Sequence, residues 1–182
     1  MTDERLALYK RLLLTWNEKI NLIGPEAREN LDVHIEEALT AASILQPRGN
    51  VLDFGSGGGL PAIPMAIASP EAVFHLVESD QKKWAFLKRA VRECRLSAVV
   101  HGDRLARVLT RFPPNLRFSL VTSRAVGNPH EWLPLLAQWM AHDGRVALFQ
   151  GPPEAPPVEG FRAGQSFPLT RGHLVTFHVE QP

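Results

Sequence analysis

The chain has 182 residues, with 20 lysines and arginines against 19 aspartates and glutamates, and a single cysteine. That length suits one fully cored domain and is short for two. The near balance of charge leaves only a local basic patch for any nucleic-acid partner, and one cysteine excludes both an internal disulfide and a cysteine zinc cluster. No window approaches the roughly 18 uninterrupted apolar residues of a membrane span, and the N-terminus lacks the apolar core and cleavage site of a secretion signal. A soluble, cytoplasmic protein is expected.

Residues 4–20 read as an amphipathic helix, because Leu6, Tyr9, Leu13, Trp16 and Ile20 recur at helical spacing. A turn at Gly24-Pro25 follows, then a second helix over 26–45 that stops before Pro47 and Gly49. These two helices, residues 1–48, are expected to cap an α/β core over 49–182 within one domain. From Asn50 onward apolar runs alternate with amphipathic stretches, as in a doubly wound, mostly parallel sheet. Strands are expected near 50–54, 73–78, 98–101, 118–122 and 144–149, and helices near 61–68, 81–95, 103–111 and 130–141. Cys94 falls on the apolar side of the 81–95 helix and reads as a small core residue. Four prolines within 151–160 forbid a helix interior there, so that segment reads as a stiff surface connection. Residues 164–169 and 172–179 flank Thr170-Arg171-Gly172 and read as a closing antiparallel hairpin.

The chemistry concentrates where the first apolar run, Val51 to Phe54, breaks into Gly55-Ser56-Gly57-Gly58-Gly59-Leu60-Pro61 and resumes as a helix. Glycines let the backbone adopt positive φ and approach a ligand closely, and the helix that follows points free N–H groups back at the loop. No lysine follows Gly59, which argues against a nucleoside-triphosphate loop; Leu60 stands where a dinucleotide fingerprint needs its third glycine. G-x-G-x-G after a strand is instead a pattern of S-adenosylmethionine (SAM) sites. About twenty residues on, the next apolar run ends in Glu78, where a carboxylate grips ribose hydroxyls in such folds. Taken alone, the glycines would also serve a tight turn.

The same residues resemble the RsmG family, also called GidB, whose members methylate a guanine N7 in small-subunit ribosomal RNA. The likeness spans nearly the whole chain. It is carried by Trp16-Asn17-Glu18-Lys19-Ile20-Asn21-Leu22, by His34, by the loop from Gly55 to Pro64, by Leu76-Val77-Glu78-Ser79-Asp80-Gln81-Lys82-Lys83 and by Ser123-Arg124-Ala125. The resemblance implies a Rossmann-like class I SAM-dependent methyltransferase fold. It also implies a cofactor site at Gly55, Ser56, Gly57, Gly59 and Leu60, with Glu78 on the ribose, and Asp103, Arg104 and the backbone of Leu105 and Ala106 beside adenine. Arg124 would stand at the pocket mouth, and ribosomal RNA or the small subunit is the implied partner.

Three departures stand against the family pattern. Glu36, Glu37, Ala38 and Leu39 stand where the family has an Asp-Ser pair after His34, so a polar contact near the substrate entrance is expected to be missing. Ala106 replaces an acid, with Asp103 as a substitute acceptor for the adenine amino group, and Gln150 replaces a lysine beside the crevice. A small-molecule acceptor, or a SAM- or ribosome-binding protein without turnover, therefore remains an alternative.

Guanine N7 carries a free lone pair, so methyl transfer to it needs positioning and exclusion of water rather than a catalytic base. No catalytic residue is identified by the sequence; His34 and Arg124 are the candidates. The ordinary readings are a helix histidine with one satisfied nitrogen and an arginine paired with a neighbouring acid, against which Arg124 would meet the SAM carboxylate or an RNA phosphate. No histidine shows metal-ligand spacing, and no metal is expected. Lys82, Lys83, Lys88, Arg89, Arg92 and Arg95 give one helix a basic face, which suits RNA phosphates and equally an ordinary solvated surface. Trp84, Trp132 and Trp139 read as packing residues.

Overall fold

The structure, a computed structural model, describes residues 2–124 and 126–180. Helices α1 (Thr2–Asn17), α2 (Pro25–Glu29) and α3 (Leu31–Leu45) precede an alternation of β1 (Gly49–Phe54), α4 (Ala62–Ala68), β2 (Ala72–Val77), α5 (Gln81–Glu93), β3 (Ala98–His101), α6 (Leu105–Leu109), β4 (Phe118–Arg124), α7 (Pro129–Leu136) and β5 (Met140–Gln150). Strands β6 (Phe161–Leu169) and β7 (Gly172–Val179) close the sheet, whose order is β3-β2-β1-β4-β5-β7-β6. Strands β1 to β5 pair in parallel, while β7 pairs antiparallel with both β5 and β6. The expected doubly wound sheet with its C-terminal hairpin is the fold observed.

Both sheet faces are covered, as parallel strands require. One face carries Val51, Phe74, Leu76 and Leu120 against Tyr9 and Leu13 of α1, Ala41 of α3, Met65 of α4 and Phe86 of α5. The other carries Leu52, Val77 and Val121 against Leu105 of α6 and Trp132 of α7. Cys94 is buried in the first of these layers. The tryptophans do pack: Trp132 lies against Phe54 at 4.8 Å between centroids, and Trp84 Nε1 donates to the Val100 carbonyl at 3.3 Å.

Three of the boundaries that differ from the sequence reading have a local reason in the structure. Helix α1 stops at Asn17 instead of running to 20, because the Asn17 side chain accepts from the Leu22 and Ile23 N–H groups at 2.8 and 2.9 Å and turns the chain back. The helix expected over 26–45 breaks at Asn30, whose side-chain amide donates to the Glu26 carbonyl and whose backbone leaves the helical region at φ −106° and ψ 23°. The helix expected to reach 141 ends at Leu136, two residues after the interior Pro134, and passes through a single 3₁₀ turn into a β5 longer than expected. Residues 151–157 form no helix, as their prolines dictate; Gln150 Nε2 pins them by donating to the Pro152 and Glu154 carbonyls, both at 2.9 Å.

Candidate cofactor and substrate crevice

The C-terminal ends of β1, β2, β4 and β5 open onto one crevice of about 680 Å³. Ligands bind at such strand ends in open α/β sheets. Its floor is the glycine loop, and Leu22, Ile23 and His34 of the N-terminal segment share its walls with Phe149 and Arg171 of the C-terminal half.

The loop is held from three sides. Its Gly57 N–H donates to Glu78 Oε2 at 2.8 Å, and Glu78 Oε1 accepts from the Asp80 N–H at 2.8 Å. Asp80 in turn caps α5, its carboxylate accepting from the Lys82 and Lys83 N–H groups, which explains the acid-then-lysine run in the sequence. Below the loop, Ser56 Oγ donates to the Asp53 carbonyl at 3.1 Å. From α1, the buried Tyr9 hydroxyl donates to the Gly58 carbonyl at 2.7 Å. The sequence reading placed Tyr9 only in an apolar stripe; its being the chain's one tyrosine was the available signal.

Asp53, at the base of the loop, is 1% exposed, and burial pushes its carboxyl up to about 6, against the hydrogen bond from Thr122 that pulls it down. Thr122 Oγ1 donates to Oδ1 at 2.6 Å, while Oδ2 has no partner among the described residues. The folded protein therefore keeps a proton that the unfolded chain, with a carboxyl near 3.8, has already lost. This contribution is complete below about pH 4 and is lost as pH rises through about 6. Stability should fall over that window by on the order of 2–3 kcal/mol relative to Asp53→Asn, whose neutral amide removes the dependence. Urea titrations of both proteins at pH 4.5 and 7.5 check it.

Arg124, at the end of β4, lies under the Phe149 ring's reach, its guanidinium carbon 4.7 Å from that centroid. Nη2 donates to Glu37 Oε2 at 2.9 Å, and Nη1 meets His34 Nδ1 at 2.6 Å. Glu37 Oε1 accepts from the Arg171 backbone N–H at 2.6 Å, and the Arg171 guanidinium pairs with Glu26 at 2.5 Å. One network thus ties α2 and α3 to β4 and to the β6–β7 turn. After His34 the chain does make a polar contact, between Glu37 and Arg124, although the sequence reading counted Glu37 as a departure rather than a site member. Ala38 packs in the core beside it. Ala125, the last residue of the Ser123-Arg124-Ala125 match, lies outside the described residues.

Of the residues expected at the cofactor, Gly55, Ser56, Gly57, Leu60, Glu78 and Arg124 line this crevice. Gly59 lies beneath it, its N–H donating to the Ser56 carbonyl at 2.6 Å. Asp103, Arg104, Leu105 and Ala106 are not among its lining residues. Asp103 pairs with Arg111 at 2.5 Å, and the Arg104 N–H, then that guanidinium, hold its carboxyl below the ordinary range. Leu105 is buried in the core and Ala106 is exposed. Lys83 of the basic helix reaches the crevice wall, whereas Arg89 and Arg92 pair with Glu93. Among the described residues no group of three or more His, Cys, Asp or Glu could hold a metal ion, and no helix is long and apolar enough to cross a membrane.

A family model described as GidB, rRNA small subunit methyltransferase G, matches residues 2–167. The chain is similar to Ribosomal RNA small subunit methyltransferase G of Granulibacter bethesdensis, at 37% identity over 150 residues, 81% of this chain and 67% of that protein. It is similar to the protein of the same name in Magnetococcus marinus at 31% over 183 residues, 98% of this chain and 82% of that one. In structure it resembles a SAM dependent methyltransferase from Aquifex aeolicus, with a TM-score of 0.62, 14% identity and coverage of 86% and 98%, a likeness of fold. With the glycine loop, the acid-ended second strand and the helical cap in place, the chain belongs to the rRNA small subunit methyltransferase G family.

Proposed function

We propose that this protein transfers a methyl group from SAM to N7 of a guanine in small-subunit ribosomal RNA, acting in the cytoplasm as one methyltransferase domain in which residues 1–48 cap the α/β core over 49–182. The observation that carries it is the meeting of the Gly55–Gly59 loop and Glu78 in a single crevice that is also walled by the N-terminal helices. The residues fit the cofactor. A Cβ on Gly57 would have no neighbour nearer than 3.7 Å, so its hydrogen fronts open space that a ligand can fill. Each Glu78 oxygen holds one N–H and keeps a free lone pair, the acceptor set that two ribose hydroxyls need.

Bound SAM supplies a methyl group on a sulfonium sulfur, already activated for displacement. Gly55, Ser56, Gly57 and Leu60 line the ribose and methionine side, with Gly59 shaping the loop beneath them. Asp103, Arg104, Leu105 and Ala106 are assigned to the adenine side, supported by the Glu78 N–H bond to the His101 carbonyl at 3.0 Å, which brings the end of β3 next to Glu78. Leu22, Ile23 and Phe149 keep water from the reacting centre, and no side chain has to remove a proton from N7.

Mass spectrometry of digested small-subunit RNA from a strain lacking this gene is expected to show the loss of one 7-methylguanosine, restored by the wild-type protein. An unchanged pattern of methylated nucleosides would refute the assignment.

A further inference from the structure

The histidine of α3 is locked into one tautomer by its neighbours. Arg124 Nη1 stands 2.6 Å from His34 Nδ1, and a guanidinium can only donate. Glu37 Oε2 is 3.3 Å from the same nitrogen, but it already accepts from Arg124 Nη2 at 2.9 Å, and a hydrogen on Nδ1 would be forced into the guanidinium. Nδ1 therefore accepts, and the ring proton sits on Nε2. That N–H has no hydrogen-bond partner among the described residues. The Glu26 carboxylate is 3.7 Å away, beyond bonding reach, and is held by Arg171. His34 is a lining residue of the same crevice as the glycine loop.

Charge narrows what this donor can meet. Glu26 and Glu37 are balanced by Arg171 and Arg124, so the cluster offers no surplus positive charge to an anionic carboxylate or phosphate. A neutral acceptor suits it. We infer that His34 Nε2–H recognises O6 of the target guanine, the acceptor beside the nitrogen that receives the methyl group; this rests on the guanine-N7 reading above. Guanine presents N7 and O6 as adjacent acceptors on one edge, whereas adenine presents an amino donor in place of O6. A fixed neutral donor beside N7 thus admits guanine, opposes adenine, and does not repel the positive charge that methylation leaves on the ring. Arg124 is the positioning residue, acting through the tautomer of His34.

The test compares guanosine monophosphate with 2-aminopurine riboside monophosphate, which keeps N7 and lacks O6, titrated by calorimetry into protein loaded with S-adenosylhomocysteine. Wild type should prefer the guanine nucleotide by about fivefold, the worth of one hydrogen bond. His34→Asn, which keeps an acceptor for Arg124 and loses the distal donor, should abolish the preference; His34→Gln, which keeps a distal N–H, should retain it. A preference undiminished in His34→Asn, or no preference in wild type, overturns the assignment. Failure of the guanine-N7 reading looks different: neither nucleotide would bind wild type loaded with S-adenosylhomocysteine, and this assignment would fall with it.

Discussion

Replacing Gly57 by valine is expected to weaken SAM binding by at least about 100-fold, near 3 kcal/mol, while leaving the protein folded. Gly57 sits at φ +52°, a left-handed conformation that costs a side-chain-bearing residue about 1–2 kcal/mol. Among the described residues the atom nearest to an added Cβ is the Gly55 carbonyl oxygen at 3.7 Å, an ordinary contact. The two γ-methyls then occupy the crevice that the residue lines. Gly55 and Gly59 make poorer probes. A Cβ at Gly55 would come within 2.2 Å of Val126, and one at Gly59 within 2.5 Å of Ile63, so those variants would confuse loss of binding with repacking. Calorimetric titration of Gly57→Val beside wild type, with a thermal melt to confirm folding, decides the matter. Equal affinity in the two proteins would move the cofactor out of this loop.

The parts of the site that could be read from sequence are those formed by residues close together along the chain. The loop from Gly55 to Leu60 declares itself because a backbone that must bend sharply and admit a ligand restricts composition to glycine at several adjacent positions. Glu78 is legible for a related reason, as strand periodicity fixes where β2 ends and parallel pairing sets Val77 beside Phe54. Cap positions needed side-chain geometry. Asn17 and Asn30 each end a helix through a side-chain bond to the backbone, and helical spacing alone carried both predicted helices past those points. Glu37 was hidden more deeply, because its partners lie 87 and 134 residues away in sequence. Helical periodicity marks it only as facing inward. An acid facing inward either takes a cation or keeps its proton, as Asp53 does, and the sequence signal for the first was the presence of Arg124 at the end of β4.

That hidden residue should also be the costliest to remove. Glu37→Ala is expected to destabilise the protein by about 3–5 kcal/mol, because breaking a buried pair strands the remaining charge. Glu37 is 3% exposed and accepts from both Arg124 and the Arg171 backbone. Burial works against the Arg124 charge and Glu37 is the first influence opposing it, yet an arginine cannot shed its proton to escape. Nε of Arg124 has no partner among the described residues, so the guanidinium has little left to lose. Glu37→Gln keeps an acceptor without the charge and should cost less, about 1–3 kcal/mol. Urea denaturation reads the difference as a lower midpoint at unchanged slope. The double replacement of Glu37 by leucine and Arg124 by methionine should recover much of the loss, since two apolar side chains strand no charge. A midpoint for Glu37→Ala within about 1 kcal/mol of wild type would mean that water, not the carboxylate, compensates Arg124. The double replacement also removes the guanidinium that sets the His34 tautomer. Its recovered midpoint should therefore come without the preference for the guanine nucleotide, which separates what the ion pair does for stability from what it does for His34.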